Sequence, residues 1–128
     1  MKIQRFEEII AWQKARDLTR QVYETTRKGA FARDFGLRDQ ACRAAVSIMA
    51  NIAEGFDRGG DREFIQFLSV AKASAGELRS HLYVVLDQGY LDQPQFDVLY
   101  AASDEVGRLI TGFMAYLRDS TLSGRKYK

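Results

Sequence analysis

Proline occurs once in this 128-residue chain, at Pro94, and cysteine and histidine also occur once each, at Cys42 and His81. Each scarcity excludes something. With one cysteine no internal disulfide can form, and one cysteine with one histidine cannot supply a four-ligand zinc cage. The near-absence of proline removes the usual helix breaker and favours long, uninterrupted helices. There is no long apolar run: the uncharged stretch from Ala44 to Ala53 is far shorter than the roughly 18 residues of a membrane span. Glu7 and Glu8 interrupt any signal-peptide core near the first residue. The expectation is a chain that neither spans a membrane nor is exported, with a reducing cytoplasm as its compartment.

What is present has the balance of a folded domain. Hydrophobic residues make up 46% and charged residues 28%, which argues against both disorder and a fibrous repeat. At this length a single core can bury roughly two thirds of the unfolded chain's surface. The net charge of +2 is unevenly placed. Residues 1–58 carry 11 Lys/Arg against 8 Asp/Glu, and residues 59–128 carry 8 against 9. Asp87, Asp92, Asp97, Asp104 and Glu105 form an acidic patch with no basic residue among them, and Arg125, Lys126 and Lys128 make a basic tail. The division expected is a bundle over 1–120 and a flexible basic tail over 121–128.

Periodicity predicts four helices, at about 9–26, 35–57, 61–88 and 93–119. In the first, Trp12, Ala15, Leu18, Thr19, Val22, Tyr23 and Thr26 recur at three- and four-residue steps, one apolar face. Gly29 marks a turn, and Asp34 is placed to cap the second helix. Gly59-Gly60 breaks the chain, and Asp61 and Glu63 give the third helix an acidic start that suits the helix dipole. There Phe64, Leu68, Ala71, Ala75, Leu78, Leu82 and Val85 keep a strict seven-residue repeat, the pattern of coiled-coil-like packing. Gly89 ends that helix, and Asp92-Gln93-Pro94-Gln95 reads as a capping box with proline in the first turn. Phe96, Leu99, Ser103, Val106, Ile110, Phe113 and Leu117 carry the fourth helix, with Ser103 its one polar member. Four long helices with short connections make an all-α, antiparallel up-down four-helix bundle.

The second helix carries the most informative pattern. At about 100° per residue, Arg43, Ser47, Asn51, Glu54 and Arg58 fall within an arc of roughly 80°, and an apolar arc of roughly 240° fills the rest. That arc is twice what a surface helix of a monomer needs, so the helix should meet more than one neighbouring surface. Small residues on it, and Ala71 to Gly76 on the third helix, suggest two patches that face each other, with Gly76 kept for close packing. The stripe itself has three readings. It is a solvated face held by four-apart pairs, Asp39 with Arg43 and Glu54 with Arg58; or Asn51 and Glu54 are partly buried at a helix or subunit junction and fix register; or it is a ligand or catalytic site resting on Glu54.

The segments IIAWQKA (9–15), FGLRDQACRAAVSIMANIAEG (35–55), REFIQFLSVAKASAGEL (62–78) and QGYL (88–91) resemble the bacterial four-helix-bundle family of proteins encoded in 23S ribosomal RNA intervening sequences. The resemblance spans about residues 5–118. It implies an up-down bundle, commonly a ring-shaped homopentamer, in a family that includes accessory proteins of diversity-generating retroelements that bind nucleic acid and a reverse transcriptase. By position, Arg43, Ser47, Asn51, Glu54, Gly55, Ser74 and Glu77 match its pattern and take a structural role. The chain departs from that pattern at Ala32, where proline is frequent, and at Arg79, where an acidic residue is common.

No catalytic or cofactor motif stands beside this. His81 follows Glu77 at a four-residue step with no second histidine, short of a di-iron bundle, and reads as a polar-face residue rather than a general base. Cys42, among alanines, reads as a buried, inert thiol. Gly55, Gly59 and Gly60 with Arg58 and Arg62 lack the preceding strand and the Lys-Ser/Thr ending of a phosphate loop, so they read as a helix end. Trp12, Phe64, Phe67 and Tyr83 sit at core spacings and read as packing. The sequence therefore points to a non-enzymatic homo-oligomeric assembly or adaptor protein with weak RNA or DNA binding. The candidate contacts are Arg16, Arg20, Arg27, Lys28, Arg38, Arg43 and Arg58. The alternative is a protein-docking module without a nucleic-acid role, recruiting a partner through the acidic patch or the basic tail.

Overall fold

The structure, a computed structural model, describes residues 3–122, with side chains through residue 119. Four α-helices carry the fold: α1 Ile10–Thr26, α2 Phe35–Arg58, α3 Asp61–Asp87 and α4 Gln93–Leu122. Short 3-10 helices at Phe6–Glu8 and Gly29–Arg33 precede α1 and α2, and no strand occurs among the described residues. The predicted ends are met within a residue or two except at the last. There α4 runs on to Leu122, taking in residues assigned to the tail, while Arg125, Lys126 and Lys128 lie outside the described residues.

The helix ends form for the reasons their sequences give. The Asp34 carboxylate caps α2 by accepting from the Leu37 N–H at 3.2 Å. Gly59 closes α2 at φ +88°, a left-handed conformation that suits glycine. Gly89 turns out of α3 at φ +77°, and the Tyr90 N–H reaches back to the Val85 carbonyl at 3.1 Å. The predicted capping box is complete: the Gln95 N–H donates to Asp92 Oδ1 at 2.9 Å, and the Asp92 N–H donates to Gln95 Oε1 at 3.0 Å.

Around the bundle each helix packs on its two neighbours, α1 against α2 and α4, α3 against α2 and α4, with the most extensive packing between α2 and α3. All seven heptad residues of α3 are buried. On α4, Met114 takes the inner position expected for Phe113, which is half-buried and packs edge-on to Phe64 at 5.3 Å between centroids. Ser103 is fully buried and donates to the Ala75 carbonyl at 3.0 Å. The polar position in that stripe is thus satisfied rather than left to cost desolvation. On α1, Tyr23 is 41% exposed rather than in the core. It follows Val22 by one residue, about 100° round the helix, and Ala11, rather than Trp12, fills the inner face.

The first segment is tied down before α1 begins. Phe6 meets Trp12 edge-on at 5.2 Å, and the Gln13 side-chain amide donates to the Glu7 carbonyl at 2.8 Å. Thr19 Oγ1 lies 3.2 Å from the Ala45 carbonyl, a polar contact across the α1–α2 interface.

Candidate functional site

The polar stripe of α2 divides between a seam and the solvent. Ser47 Oγ and Ser74 Oγ share a hydrogen bond at 2.8 Å, and the Asn51 amide donates to the Ser47 carbonyl at 2.8 Å and to Ser47 Oγ at 3.0 Å. The small-residue patches of α2 and α3 do face each other. Asn51 is half-buried there, as the register-setting reading required, whereas Glu54 is exposed and paired with Arg58 at 3.1 Å, as the solvated-face reading required. The expected partnership of Asp39 with Arg43 does not form.

Gly55 has a steric reason for being glycine. A Cβ at that position would stand 2.7 Å from Phe67 Cβ and 2.8 Å from Phe64 Cδ1, well inside contact distance. Gly76 has no such reason, since a Cβ there would meet only Arg79 Nη2 at 3.7 Å. Close helix approach therefore depends on Gly55 and not, as the sequence suggested, on Gly76.

The seven cationic candidates separate into committed and free. Arg20 is held by Asp17 at 2.7 Å. Arg58 is held by Glu54 and, at 3.8 Å, by Glu63, and lies over the Phe67 ring at 5.1 Å. Arg38 donates to the Ala32 carbonyl at 2.9 Å and lies over Phe35 at 4.8 Å. Arg16, which lies 5.9 Å from the Trp12 ring, Arg27, Lys28 and Arg43 are exposed with no ion-pair partner among the described residues. Arg16 and Arg27 share one flank of α1 with Tyr23. Across from it, Tyr23, Asp39, Cys42, Arg43, Val46 and Ser47 line an open groove of about 510 Å³.

The residues that suggested chemistry do not assemble. Cys42, half-buried rather than buried, has its Sγ 3.9 Å from Thr26 Oγ1, and His81 Nε2 sits 3.5 Å from Glu77 Oε2. Neither contact brings a nucleophile to the imidazole. Among the described residues no group of three or more His, Cys, Asp or Glu is placed to hold a metal ion, and no helix is long and apolar enough to cross a membrane.

The sequence reading missed the opposite side of the molecule. Between α3 and α4, Lys72, Arg79, Asp104, Gly107, Arg108 and Thr111 line a groove of about 250 Å³. Beside it Tyr83, expected in the core, is 50% exposed. It follows Leu82 by one residue and so turns off the heptad stripe. Its ring lies 5.8 Å from that of Tyr100, whose proximity pushes the Tyr83 phenol above its ordinary range. The signal was there in Lys72, Arg79 and Tyr83 at steps of seven and four, a spacing that keeps them on one flank of a helix.

No curated protein matches the chain. A crystal structure of a protein with unknown function from the S23 ribosomal protein family of Bacteroides thetaiotaomicron superposes with a TM-score of 0.75 at 21% identity, covering 82% of this chain and 98% of that one. At that identity the likeness speaks for the helical fold. The sequence model of the 23S rRNA-intervening sequence proteins matches residues 7–112, nearly the whole bundle, and the chain belongs to that family.

Proposed function

We propose that this protein is a non-enzymatic, self-associating adaptor that binds nucleic acid weakly through the α1–α2 face. The observation that carries the reading is apolar surface left uncovered beside the Ser47–Ser74 contact. Val46 is 40% and Val70 50% exposed, and Ala50 and Ala73 are exposed with them. Such a patch on the outer surface of a bundle suits burial against a second copy of the chain, and the resemblance to ring-forming relatives implies five copies. A ring would repeat Arg16, Arg27, Lys28 and Arg43 around its circumference. Linked weak sites gain avidity without any new contact.

Sedimentation at micromolar concentration is expected to give a multiple of the 14.6 kDa monomer mass, and Val46→Glu with Val70→Glu to return it to the monomer. A wild-type monomer overturns the assembly half. Binding to single-stranded RNA or DNA is expected at low salt and to weaken as salt rises, with Arg16→Gln and Arg43→Gln reducing the slope of that dependence. Absence of binding at low salt overturns the nucleic-acid half. Co-purification of a protein partner that survives nuclease treatment would then favour docking through the acidic patch around Asp87, Asp92 and Asp97.

A further inference from the structure

We infer that the groove between α3 and α4 is a nucleotide-binding site, with the phosphate on Arg79 and the base against Tyr83. This site lies across the bundle from the α1–α2 face and stands independently of its role.

Arg79 is half-buried between the two helices. Its guanidinium has five donors in a planar fork, yet among the described residues it makes one long hydrogen bond, Nη1 to the Ser103 carbonyl at 3.4 Å, and none of their carboxylates lies within 4.0 Å of it. An arginine held in a groove without a carboxylate leaves donors available to an oxyanion, since phosphate and carboxylate match its fork in a bidentate way. The floor around it is bare. Cβ atoms added at Gly76 and Gly107 would come 3.7 and 3.6 Å from its Nη2 and Nη1 nitrogens, so the fork rests over two backbones that carry no side chains. Lys72, two turns earlier on the same flank of α3, is exposed with no ion-pair partner among the described residues, and Arg108 stands opposite with Asp104 at 2.9 Å. The groove thus offers three cations against one carboxylate.

Aromatic rings outside the groove's lining stand next to Arg79 and tell against a plain inorganic anion. The Arg79 Cζ is 5.9 Å from the Tyr100 ring, and Tyr83 meets Tyr100 edge-on. Phe96 backs both, at 5.0 Å from Tyr83 and 5.5 Å from Tyr100, leaving half of the Tyr83 surface open. A guanidinium with donors to spare, one helical turn from a half-exposed tyrosine ring, sets an oxyanion-binding group beside a stacking surface, the pair of features that phosphate and base require. The same chemistry is offered by a free mononucleotide and by one unit of a single strand.

Calorimetric titration at low salt with AMP, inorganic phosphate, adenosine and single-stranded oligo(dA) tests the site. AMP is expected to bind at least tenfold more tightly than inorganic phosphate or adenosine. Arg79→Gln should weaken AMP binding tenfold or more, and Tyr83→Ala several-fold. Because Tyr83 is half exposed, its variant should fold with wild-type helicity and so reads the site even if Arg79→Gln unfolds. Arg16→Gln with Arg43→Gln should leave AMP binding unchanged. Tighter binding of oligo(dA) that Tyr83→Ala weakens and that Arg16→Gln with Arg43→Gln does not abolish assigns the site to a strand, and equal or tighter binding of AMP assigns it to a free nucleotide. Inorganic phosphate binding as tightly as AMP, no binding of AMP at millimolar concentration together with oligo(dA) binding that is absent or unaffected by Tyr83→Ala, or full affinity in Tyr83→Ala and a folded Arg79→Gln overturns the proposal.

Discussion

Helix α3 borders two seams, and it uses glycine, serine and arginine differently in each. Against α2, glycine is a steric necessity: Gly55 lies under Phe64 and Phe67 with no room for a methyl group. Against α4, Gly76 and Gly107 leave space for one, and only the Arg79 guanidinium is near. Serine in the first seam bonds to another side chain, Ser47 to Ser74, while in the second Ser103 bonds to backbone at Ala75. Arginine in the first seam is neutralised, Arg58 by Glu54 and Glu63, while Arg79 in the second has no acid partner among the described residues. One seam is closed by its own side chains, and the other leaves its polar capacity facing outward. Residue type alone did not separate the two; what each residue meets across the seam did.

The largest test removes the anchor that both seams share. Phe64 is fully buried, meets Phe56 of α2 at 6.1 Å and Phe113 of α4 at 5.3 Å, and sits against Gly55. Phe64→Ala should cost about 3–5 kcal/mol in chemical denaturation. A loss below about 1 kcal/mol would show that the two sides of α3 are held independently. Next in size is the contrast between glycines. Gly55→Val forces overpacking at the tight seam and should cost about 1–3 kcal/mol, whereas Gly76→Ala should stabilise by up to about 1 kcal/mol because the helix gains a better former without a clash. Equal effects of the two substitutions would erase the distinction drawn between the seams.

The turns at the two ends of α3 differ as well. Gly60 begins α3 with no side-chain cap, while Asp92 and Gln95 cap α4 reciprocally. Asp92→Ala should therefore lower stability by about 1 kcal/mol, read as a fall of roughly 4 °C in the melting temperature. An unchanged melting temperature would mean that the box is redundant with the packing of Phe96 just beyond it.

The four helices were legible in the sequence because their signals are local: the seven-residue repeat of α3, the Asp34 cap, the Gly59 and Gly89 stops and the capping box each involve residues within a turn or two. What crosses between helices was not. Nothing local distinguishes Gly55, pressed on Phe64 and Phe67, from Gly76, which faces an arginine. Three- and four-residue spacing places Tyr23 and Tyr83 with the core, yet each follows a buried residue, Val22 or Leu82, by about 100° of rotation, which carries both rings outward. Arg79 was noticed as a departure from the family's pattern, but its placement over Gly107 of α4 depends on a contact 28 residues away in sequence. Charge alone does not tell Arg16, with no ion pair among the described residues, from Arg20, held by Asp17.

The smallest expected effect concerns the one side-chain hydrogen bond that joins the start of α2 to the turn between α3 and α4, and so ties the two seams together at one end. Tyr90 donates its hydroxyl proton to Asp34 Oδ2 at 3.0 Å, and its ring stacks on Phe31 at 5.4 Å. That hydrogen bond, with desolvation and the Asp34 charge acting in the same direction, raises the Tyr90 pKa above the ordinary tyrosine value. A group whose pKa is higher in the folded state contributes stability that is fully present below its unfolded pKa, about 10 for tyrosine, and that is lost as pH rises through the folded value. Tyr90→Phe keeps the stack and removes only the hydroxyl. The wild-type advantage over this variant should therefore be constant from about pH 7 to about pH 9 and then shrink as the medium becomes more alkaline. Tyr83, whose pKa is also raised, is present in both proteins and cancels from the difference. An advantage that persists unchanged at alkaline pH would show that the Tyr90 hydroxyl stabilises the turn by packing rather than by its proton. Asp34 would then hold α2 through its cap on Leu37 alone, with no coupling between the two seams.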